Sequence, residues 1–281
     1  MSILEVKNLN KKYPFFELKD VSFNLEQGKI TGFIGKNGAG KTTTLKALFN
    51  FVHPDSGEIS FFGESFSKNE FEIKQRIGFV SGGIDYYSKK KIKNITAVTK
   101  SFYEKWDDSA YKKYITMFGL DENKTPSQLS AGMKVKYSLA IALSHNAELL
   151  ILDEPTSGLD PVSRDDLLDI FMELCNEGIT ILFSTHITSD LDKCADNIIY
   201  IKNGKILAES KINSFVKSYK VLEFTGEDVT DVLKQKLIGR KKTKNGYSAL
   251  IKTSDLQGVT INCKEADLEE IMIHIEKEGE N

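Results

Sequence analysis

Ile30-Thr-Gly-Phe-Ile-Gly-Lys-Asn-Gly-Ala-Gly-Lys-Thr42 is a compact apolar strand running into a glycine-rich turn. Leu45, Leu48 and Phe49 then fall on one face of the helix that follows. The part from Gly35 to Thr42 fits G-x-x-x-x-G-K-[ST], in the strand–loop–helix setting that the pattern requires. Glycines there let main-chain N–H groups surround phosphates, and the helix points its positive end at them. Lys41 would reach the β- and γ-phosphates, and the Thr42 hydroxyl would bind Mg²⁺. Gly35, Lys36, Asn37, Gly38, Ala39, Gly40, Lys41, Thr42 and Thr43 are thus candidate nucleotide-binding residues. With glycine at about 7% of residues, a random chain of this length matches the pattern about once in a hundred.

Leu149-Leu-Ile-Leu-Asp-Glu154 places two carboxylates at the end of an apolar run. A buried strand of this kind ends at the carboxyl edge of a sheet, where such folds bind ligands. Asp153 there can hold Mg²⁺ or its water, and Glu154 can polarise an attacking water. Lys41 and Asp153 are 112 residues apart, so something sizeable is inserted between them. The mostly helical stretch from about 84 to 145 is the candidate.

Elsewhere, Ile3–Lys7 and Val21–Leu25 alternate apolar and polar residues, as half-buried strands do. With Gly57–Gly63 they suggest an antiparallel patch. Ile77–Val80 and Ile179–Phe183 read as further strands. Asp160-Pro161 starts a helix carrying Leu167, Leu168, Phe171 and Leu174 at helical spacing, closed by Gly178. Asn203-Gly204 between Asn197–Ile201 and Ile206–Glu209 is a hairpin signal. Alternation of strands and helices to about residue 200 implies an α/β fold with a mainly parallel sheet. Beyond Ser210, Val221–Phe224, Ser248–Lys252 and Val259–Cys263 read as strands. Leu268, Ile271, Met272 and Ile275 line one face of a last helix. This tail reads as a small α+β module.

The chain has 281 residues, room for roughly two domains. It carries 38 basic and 40 acidic residues, a net charge of −2. That balance disfavours a protein that coats nucleic acid, which would carry a strong basic excess. No stretch approaches 18 consecutive apolar residues, so any work at a membrane needs a partner that crosses it. The start lacks the charged leader and apolar core of a secretory signal. Cys175, Cys194 and Cys263 are scattered and read as reduced, small buried residues. The basic runs Lys89–Lys93 and Arg240–Lys244 read as solvated faces.

Within the helical insert lies Leu129-Ser-Ala-Gly-Met133, with Ser130 as N-cap and Val135, Leu139, Ala142 and Leu143 on the inner face. It resembles the Leu-Ser-Gly-Gly-Gln signature of ATP-binding-cassette ATPases. Ser157-Gly-Leu-Asp160 resembles the D-loop of that family. His186, at a strand end 33 residues past Asp153, resembles its switch histidine. Tyr13, 28 residues before Lys41, resembles the aromatic residue that stacks on adenine. Six features stand in the family's order over residues 3–210. The resemblance implies a P-loop NTPase core with an antiparallel β subdomain and the inserted helical subdomain. It divides the chain into an ATPase domain, 1–210, and a C-terminal accessory module, 211–281.

The same resemblance implies ATP and Mg²⁺ as cofactors and two cassettes paired head to tail around two ATP molecules. Tyr13 would stack on adenine, an interaction worth roughly 1–3 kcal/mol by analogy with base stacking. Ser130 and the Gly132 backbone would contact the γ-phosphate held by the other cassette, and Asp160 of the D-loop would join the nucleotide-binding residues. Glu154 would act as base or water-orienting group, with His186 holding γ-phosphate and water in line. The partners implied are a transmembrane permease and a second ATPase subunit, at the cytoplasmic face of the membrane, with no nucleic acid. Tyr86, Tyr87 and Lys89–Lys93 fall where the family receives the permease's coupling helix. Leu129-Ser-Ala-Gly-Met-Lys134, with the glycine-rich break near Gly82, resembles bacterial exporters of bacitracin-like drugs and antimicrobial or cytolytic peptides.

Two positions depart from the family pattern. The signature has Ala131 and Met133 in place of Gly and Gln. After the strand Ile77–Val80, Gly82 stands where the family carries a Gln that touches Mg²⁺ and water. The alternatives there are a water in place of that side chain, Asp85 swung in, or weakened hydrolysis. The alternatives to a transporter are a non-transport cassette ATPase and a regulatory module that binds ATP without hydrolysing it.

Overall fold

The structure, a computed structural model, describes residues 2–81, 87–225, 231–256 and 263–278. The chain divides into two units, Met1–Leu207 and Ala208–Asn281, with the boundary inside a strand.

The first unit opens with a long hairpin, β1 (Ser2–Tyr13) and β2 (Phe16–Glu26), joined by a two-residue turn. Next come β3 (Ile30–Ile34), α1 (Lys41–Leu48), β4 (Ser56–Phe61), β5 (Glu64–Ser65), α2 (Glu70–Lys74) and β6 (Ile77–Ser81). The helical stretch contains α3 (Ile92–Thr99), α4 (Asp108–Met117) and α5 (Ala131–Ser144). Then β7 (Leu149–Asp153), α6 (Pro161–Asn176), β8 (Thr180–Thr185), α7 (Thr188–Cys194), β9 (Asn197–Lys202) and β10 (Lys205–Lys211) follow.

Two sheets result. One has the order β2-β1-β4-β5 and is antiparallel. The other has the order β10-β9-β3-β8-β7-β6, with β9, β3, β8, β7 and β6 parallel. The central strands β3, β7 and β8 are buried along their whole length, as strands covered on both faces are. Leu4, Leu9 and Phe23 of the antiparallel sheet share one core with Phe33, Ile151 and Ile199 of the parallel sheet. Parallel register sets Ser81 beside Asp153 and Asp153 beside Ser184, while Ile34 pairs Thr185. The loops that leave β3, β7 and β8 therefore emerge together at one edge.

In the helical stretch, α3, α4 and α5 meet through buried hydroxyls. The Thr96 hydroxyl lies 2.9 Å from that of Tyr111 and 2.7 Å from that of Tyr137. The Tyr137 hydroxyl also donates to the Ile92 carbonyl at 3.1 Å. Val135, Leu139, Ala142 and Leu143 are buried, as the spacing predicts, and so is Tyr137. Just past α5, buried His145 stacks on Tyr103 at 3.8 Å, with Nδ1 3.1 Å from the Gln75 carbonyl.

Asn203 and Gly204 form the β9–β10 turn, both with positive φ (49° and 74°), the backbone that a two-residue I′ hairpin requires. The Gly204 N–H donates to the Ala39 carbonyl at 2.9 Å, and its own carbonyl accepts the Lys19 N–H at 2.9 Å. A Cβ at Gly204 would fall 1.8 Å from the Glu17 carbonyl oxygen, so this hairpin tip has room only for glycine.

The second unit holds α8 (Ile212–Lys217), β11 (Tyr219–Phe224), α9 (Asp231–Lys234), β12 (Ile238–Thr243), β13 (Gly246–Lys252), β14 (Cys263–Glu265) and α10 (Leu268–Lys277). Its antiparallel sheet has the order β12-β13-β11-β14. Asp267 caps α10 in a capping box with Glu270. Of the strand expected over 259–263, residues 259–262 lie outside the described residues. Met272 was expected on the inner face of α10 but is only half-buried, and His274 takes that place. The imidazole can be buried because the Gly239 carbonyl and the Ser248 hydroxyl meet its two nitrogens. The three cysteines form no disulfide among the described residues and are half-buried rather than buried. Cys175 and Cys194 each spend their thiol on a nearby carbonyl, of Gly28 and Asp190 respectively.

Candidate nucleotide site

Gly40, with φ 115°, ends the loop between β3 and α1. Phe16 and Leu18 pack so closely over it that a Cβ would meet them at 2.9 and 2.7 Å. Ala39 is buried in the core, which pins the loop from beneath, and its carbonyl is held by Gly204. Above the loop lies a cleft of about 540 Å³ lined by Asn37, Gly38, Gly40, Lys41, Thr42 and Thr43. Its other walls are Phe15, Phe16, Glu154, Ser157 and His186.

Lys41 is buried, and its ammonium donates to the Gly35 carbonyl at 2.7 Å and to that of Lys36 at 3.4 Å. It also pairs with Glu154 Oε1 at 3.2 Å. The second Glu154 oxygen, Oε2, accepts from His186 Nδ1 at 2.9 Å. Glu154 has φ 50°, an unusual backbone for a side chain with a Cβ, and this turns its carboxylate off the end of β7. Beside it, Asp153 Oδ1 accepts from the Thr42 hydroxyl at 3.1 Å and from the Ser184 hydroxyl at 2.7 Å. The Ser184 oxygen in turn accepts the Glu154 N–H at 2.9 Å. Sequence reading assigned Ser184 no role. Its position opposite Asp153 follows from the β7–β8 register, which a single-strand reading does not contain.

Of the other expected site residues, Tyr13 stands at the end of β1, 39% exposed, its ring 6.4 Å from that of Phe16. The aromatic walls of the cleft itself are Phe15 in the hairpin turn and Phe16 at the start of β2. Ser130 caps α5, accepting the Met133 N–H at 3.2 Å. Gly132 lies against Leu159 and Ser163, where a Cβ would sit at 3.7 and 3.8 Å. Asp160 caps α6 through the Val162 and Ser163 N–H groups, and bonds from Ser163 hold its carboxyl below the usual range. Ser130, Gly132 and Asp160 do not line the cleft of their own chain. Gly82 and Asp85 lie outside the described residues, as does Tyr86. A second groove, about 520 Å³, is lined by Tyr87, Lys90, Asn94, Ile95, Val98, Thr99 and Phe102. Among the described residues, no helix is long and apolar enough to cross a membrane.

Residues 18–157 match the protein family described as ABC transporter. The bacitracin transport ATP-binding protein BcrA of Bacillus licheniformis is 36% identical over 232 residues, covering 81% of this chain and 76% of that protein. The lantibiotic transport ATP-binding protein SrtF of Streptococcus pyogenes is 36% identical over 213 residues, covering 74% of this chain and 91% of that protein. A solved ATP-binding subunit of an ABC transporter superposes with a TM-score of 0.68 at 27% identity, over 75% of this chain and 91% of its own.

Proposed function

The chain belongs to the ATP-binding-cassette transporter ATPases, and from that premise we propose that it powers a separate membrane permease as one of two paired cassettes. The cargo we infer is a peptide or antibiotic-like compound, exported from the cytoplasmic face of the membrane. The transport of bacitracin and of lantibiotics, named for two relatives, supports that cargo class.

The observation that carries the reading is the row Lys41–Glu154–His186 along the cleft, with Thr42 and Asp153 beside it. Gly35, Lys36, Asn37, Gly38, Ala39, Gly40 and Thr43 would form the phosphate cradle with Lys41 and Thr42. Tyr13 would stack on adenine, next to Phe16. Thr42 and Asp153 present oxygens within 3.1 Å of each other, the hard donors that Mg²⁺ takes, and these two would hold it. The ion would supply charge neutralisation on the β- and γ-phosphates. Glu154 would orient the attacking water and draw its proton, with His186 fixing the carboxylate from the other side. Lys41 would leave the Gly35 carbonyl for the phosphate oxygens. Positioning and electrostatics carry most of phosphoryl transfer, so these placements are the mechanism.

Ser130, Gly132 and Asp160 stand away from their own chain's cleft, which supports a site completed by a second cassette. The N-terminus of α5, headed by Ser130, would then face the other cassette's γ-phosphate. The groove at Tyr87, Ile95, Val98 and Phe102, with Lys90 at its edge, fits an amphipathic helix of a permease. We assign ATP hydrolysis to residues 1–210 and an accessory role to 211–281.

The test is ATP hydrolysis by the purified chain, wild type beside Glu154→Gln, with molecular size measured with and without Mg-ATP. Turnover by the wild type, and a dead variant locked as an ATP-bound dimer, is the expected result. A Glu154→Gln variant as active as wild type would remove Glu154 from the chemistry. A variant that stays monomeric with ATP would remove self-pairing.

A further inference from the structure

Asp190, on α7 four residues past His186, is a fully buried carboxylate that the chemistry above does not use. Burial pushes its pKa up, against the pull of Thr156 and Arg164. A buried acid is costly unless its neighbours satisfy it, and here the neighbours come from three separate segments. The Thr156 hydroxyl, two residues past Glu154, donates to Oδ2 at 2.6 Å. The Thr185 hydroxyl, one residue before His186, lies 3.4 Å from the same oxygen and accepts the Ile187 N–H at 3.0 Å. Arg164 of α6 brings Nε to 3.9 Å from Oδ1.

One carboxylate oxygen therefore ties together the chain on either side of the Glu154–His186 pair. The turn after Glu154 is short and internally bonded, Ser157 N–H to the Glu154 carbonyl and Leu159 N–H to that of Thr156, so a shift at Thr156 moves Glu154. His186 follows Thr185 directly. The 2.9 Å contact between Glu154 and His186 depends on both main chains holding register. A misplacement of about 1 Å at a reacting centre can cost roughly 100-fold in rate.

We propose that Asp190 is a positioning residue for hydrolysis, setting Glu154 and His186 in register through Thr156 and Thr185 while Arg164 ties the cluster to α6. This rests on the reading of Glu154 and His186 as the hydrolytic pair. The Thr156 and Thr185 hydroxyls share Oδ2, while the Arg164 guanidinium faces Oδ1 as an ion pair without a hydrogen bond, so a carboxylate offers the hydroxyls an acceptor and the guanidinium a charge. Asparagine would lose that charge and turn its NH₂ group toward either the hydroxyls or the guanidinium.

The experiment compares wild type, Glu154→Gln, Asp190→Asn, Thr156→Val and Thr156→Ser in the full chain. It reads kcat and KM for Mg-ATP, the Kd of a fluorescent ATP analogue, and the melting temperature. Asp190→Asn is expected to lower kcat about 10- to 100-fold while KM and Kd change less than about twofold. Thr156→Val should lower kcat in the same way, Thr156→Ser should restore it, and the Asp190→Asn/Thr156→Val pair should be no worse than Asp190→Asn alone. Should Asp190→Asn not fold, the Thr156 pair carries the same test. Unchanged kcat in Asp190→Asn and Thr156→Val beside a dead Glu154→Gln overturns the positioning role and leaves the hydrolytic pair standing. Equal loss in Thr156→Val and Thr156→Ser, tracking the melting temperature, also overturns it. A Glu154→Gln variant with full activity overturns the underlying reading, and this proposal with it.

Discussion

Gly204 and Gly28 share a left-handed backbone, with φ of 74° and 67°, yet differ in surroundings. Nothing lies within 4 Å of a Cβ built on Gly28, whereas one on Gly204 meets the Glu17 carbonyl oxygen at 1.8 Å. Gly28→Ala thus measures the backbone term alone, about 1–2 kcal/mol. Gly204→Ala adds the displacement of the hairpin tip, which breaks its bonds to Ala39 and Lys19. At about 0.5–1.5 kcal/mol each, those two bonds add about 1–3 kcal/mol. The expected total is about 2–5 kcal/mol, with the first unit melting roughly 2–4 °C lower for each kcal/mol. Because the Ala39 carbonyl belongs to the phosphate loop, Gly204→Ala should also weaken ATP binding, and Gly28→Ala should not. Thermal unfolding and titration with a fluorescent ATP analogue test both points. Equal losses of stability and equal affinities in the two variants would refute the idea that the hairpin braces the loop.

Other outcomes follow from the same geometry. Lys41→Ala should raise the Kd for ATP roughly 10- to 100-fold, the loss of one charge-assisted bond, as a fluorescence titration would read; an unchanged Kd would take Lys41 out of the site. Ser130→Ala removes the cap of α5 and should cost about 1 kcal/mol. It should leave the Kd of the isolated chain unchanged while slowing hydrolysis, so equal rates in variant and wild type would count against a contact made in trans. Burial pushes the pKa of His145 down to about 4, against the bond to the Gln75 carbonyl. The unfolded imidazole titrates near 6.5, so only the unfolded chain takes up that proton as pH falls between these values. The contribution is full above about pH 6.5 and declines toward pH 4, by up to about 3 kcal/mol. His145→Phe, which keeps a ring against Tyr103, should flatten the melting temperature between pH 7 and 4.5; parallel curves for the two proteins would sink this account.

The phosphate loop, the Asp153–Glu154 strand end and the caps at Ser130 and Asp160 were legible because each is a local pattern of a few residues. So was the Asn203-Gly204 hairpin, whose backbone demands those residue types. What stayed hidden depends on register between strands. Ser184 reaches Asp153, and Thr156 and Thr185 reach Asp190, only because β7 and β8 lie side by side and in step. The run around Arg240 read as a solvated basic face, and Arg240, Lys242 and Lys244 are exposed; that the run forms β12 was not read. It lies at the sheet edge, where lysines discourage pairing with other chains, and Arg240 stacks on Tyr247 at 3.5 Å. His274 escaped because nothing in the helical spacing of α10 reveals that a carbonyl and a hydroxyl wait on the facing strands.

Lys41 spends its charge inside the chain, on two main-chain carbonyls and on Glu154. The site is therefore close to electrically self-satisfied, and an incoming anion has to displace contacts already made. A lone phosphate, offering few oxygens, gains little by that exchange. On the proposed function a nucleoside triphosphate would gain more, because the loop, the helix end and the aromatic hairpin would engage it together. The lysine would thereby act as a latch that discriminates by ligand length. While it is closed it also keeps Glu154 neutralised, so the groups that would activate water are not both free until the correct ligand arrives.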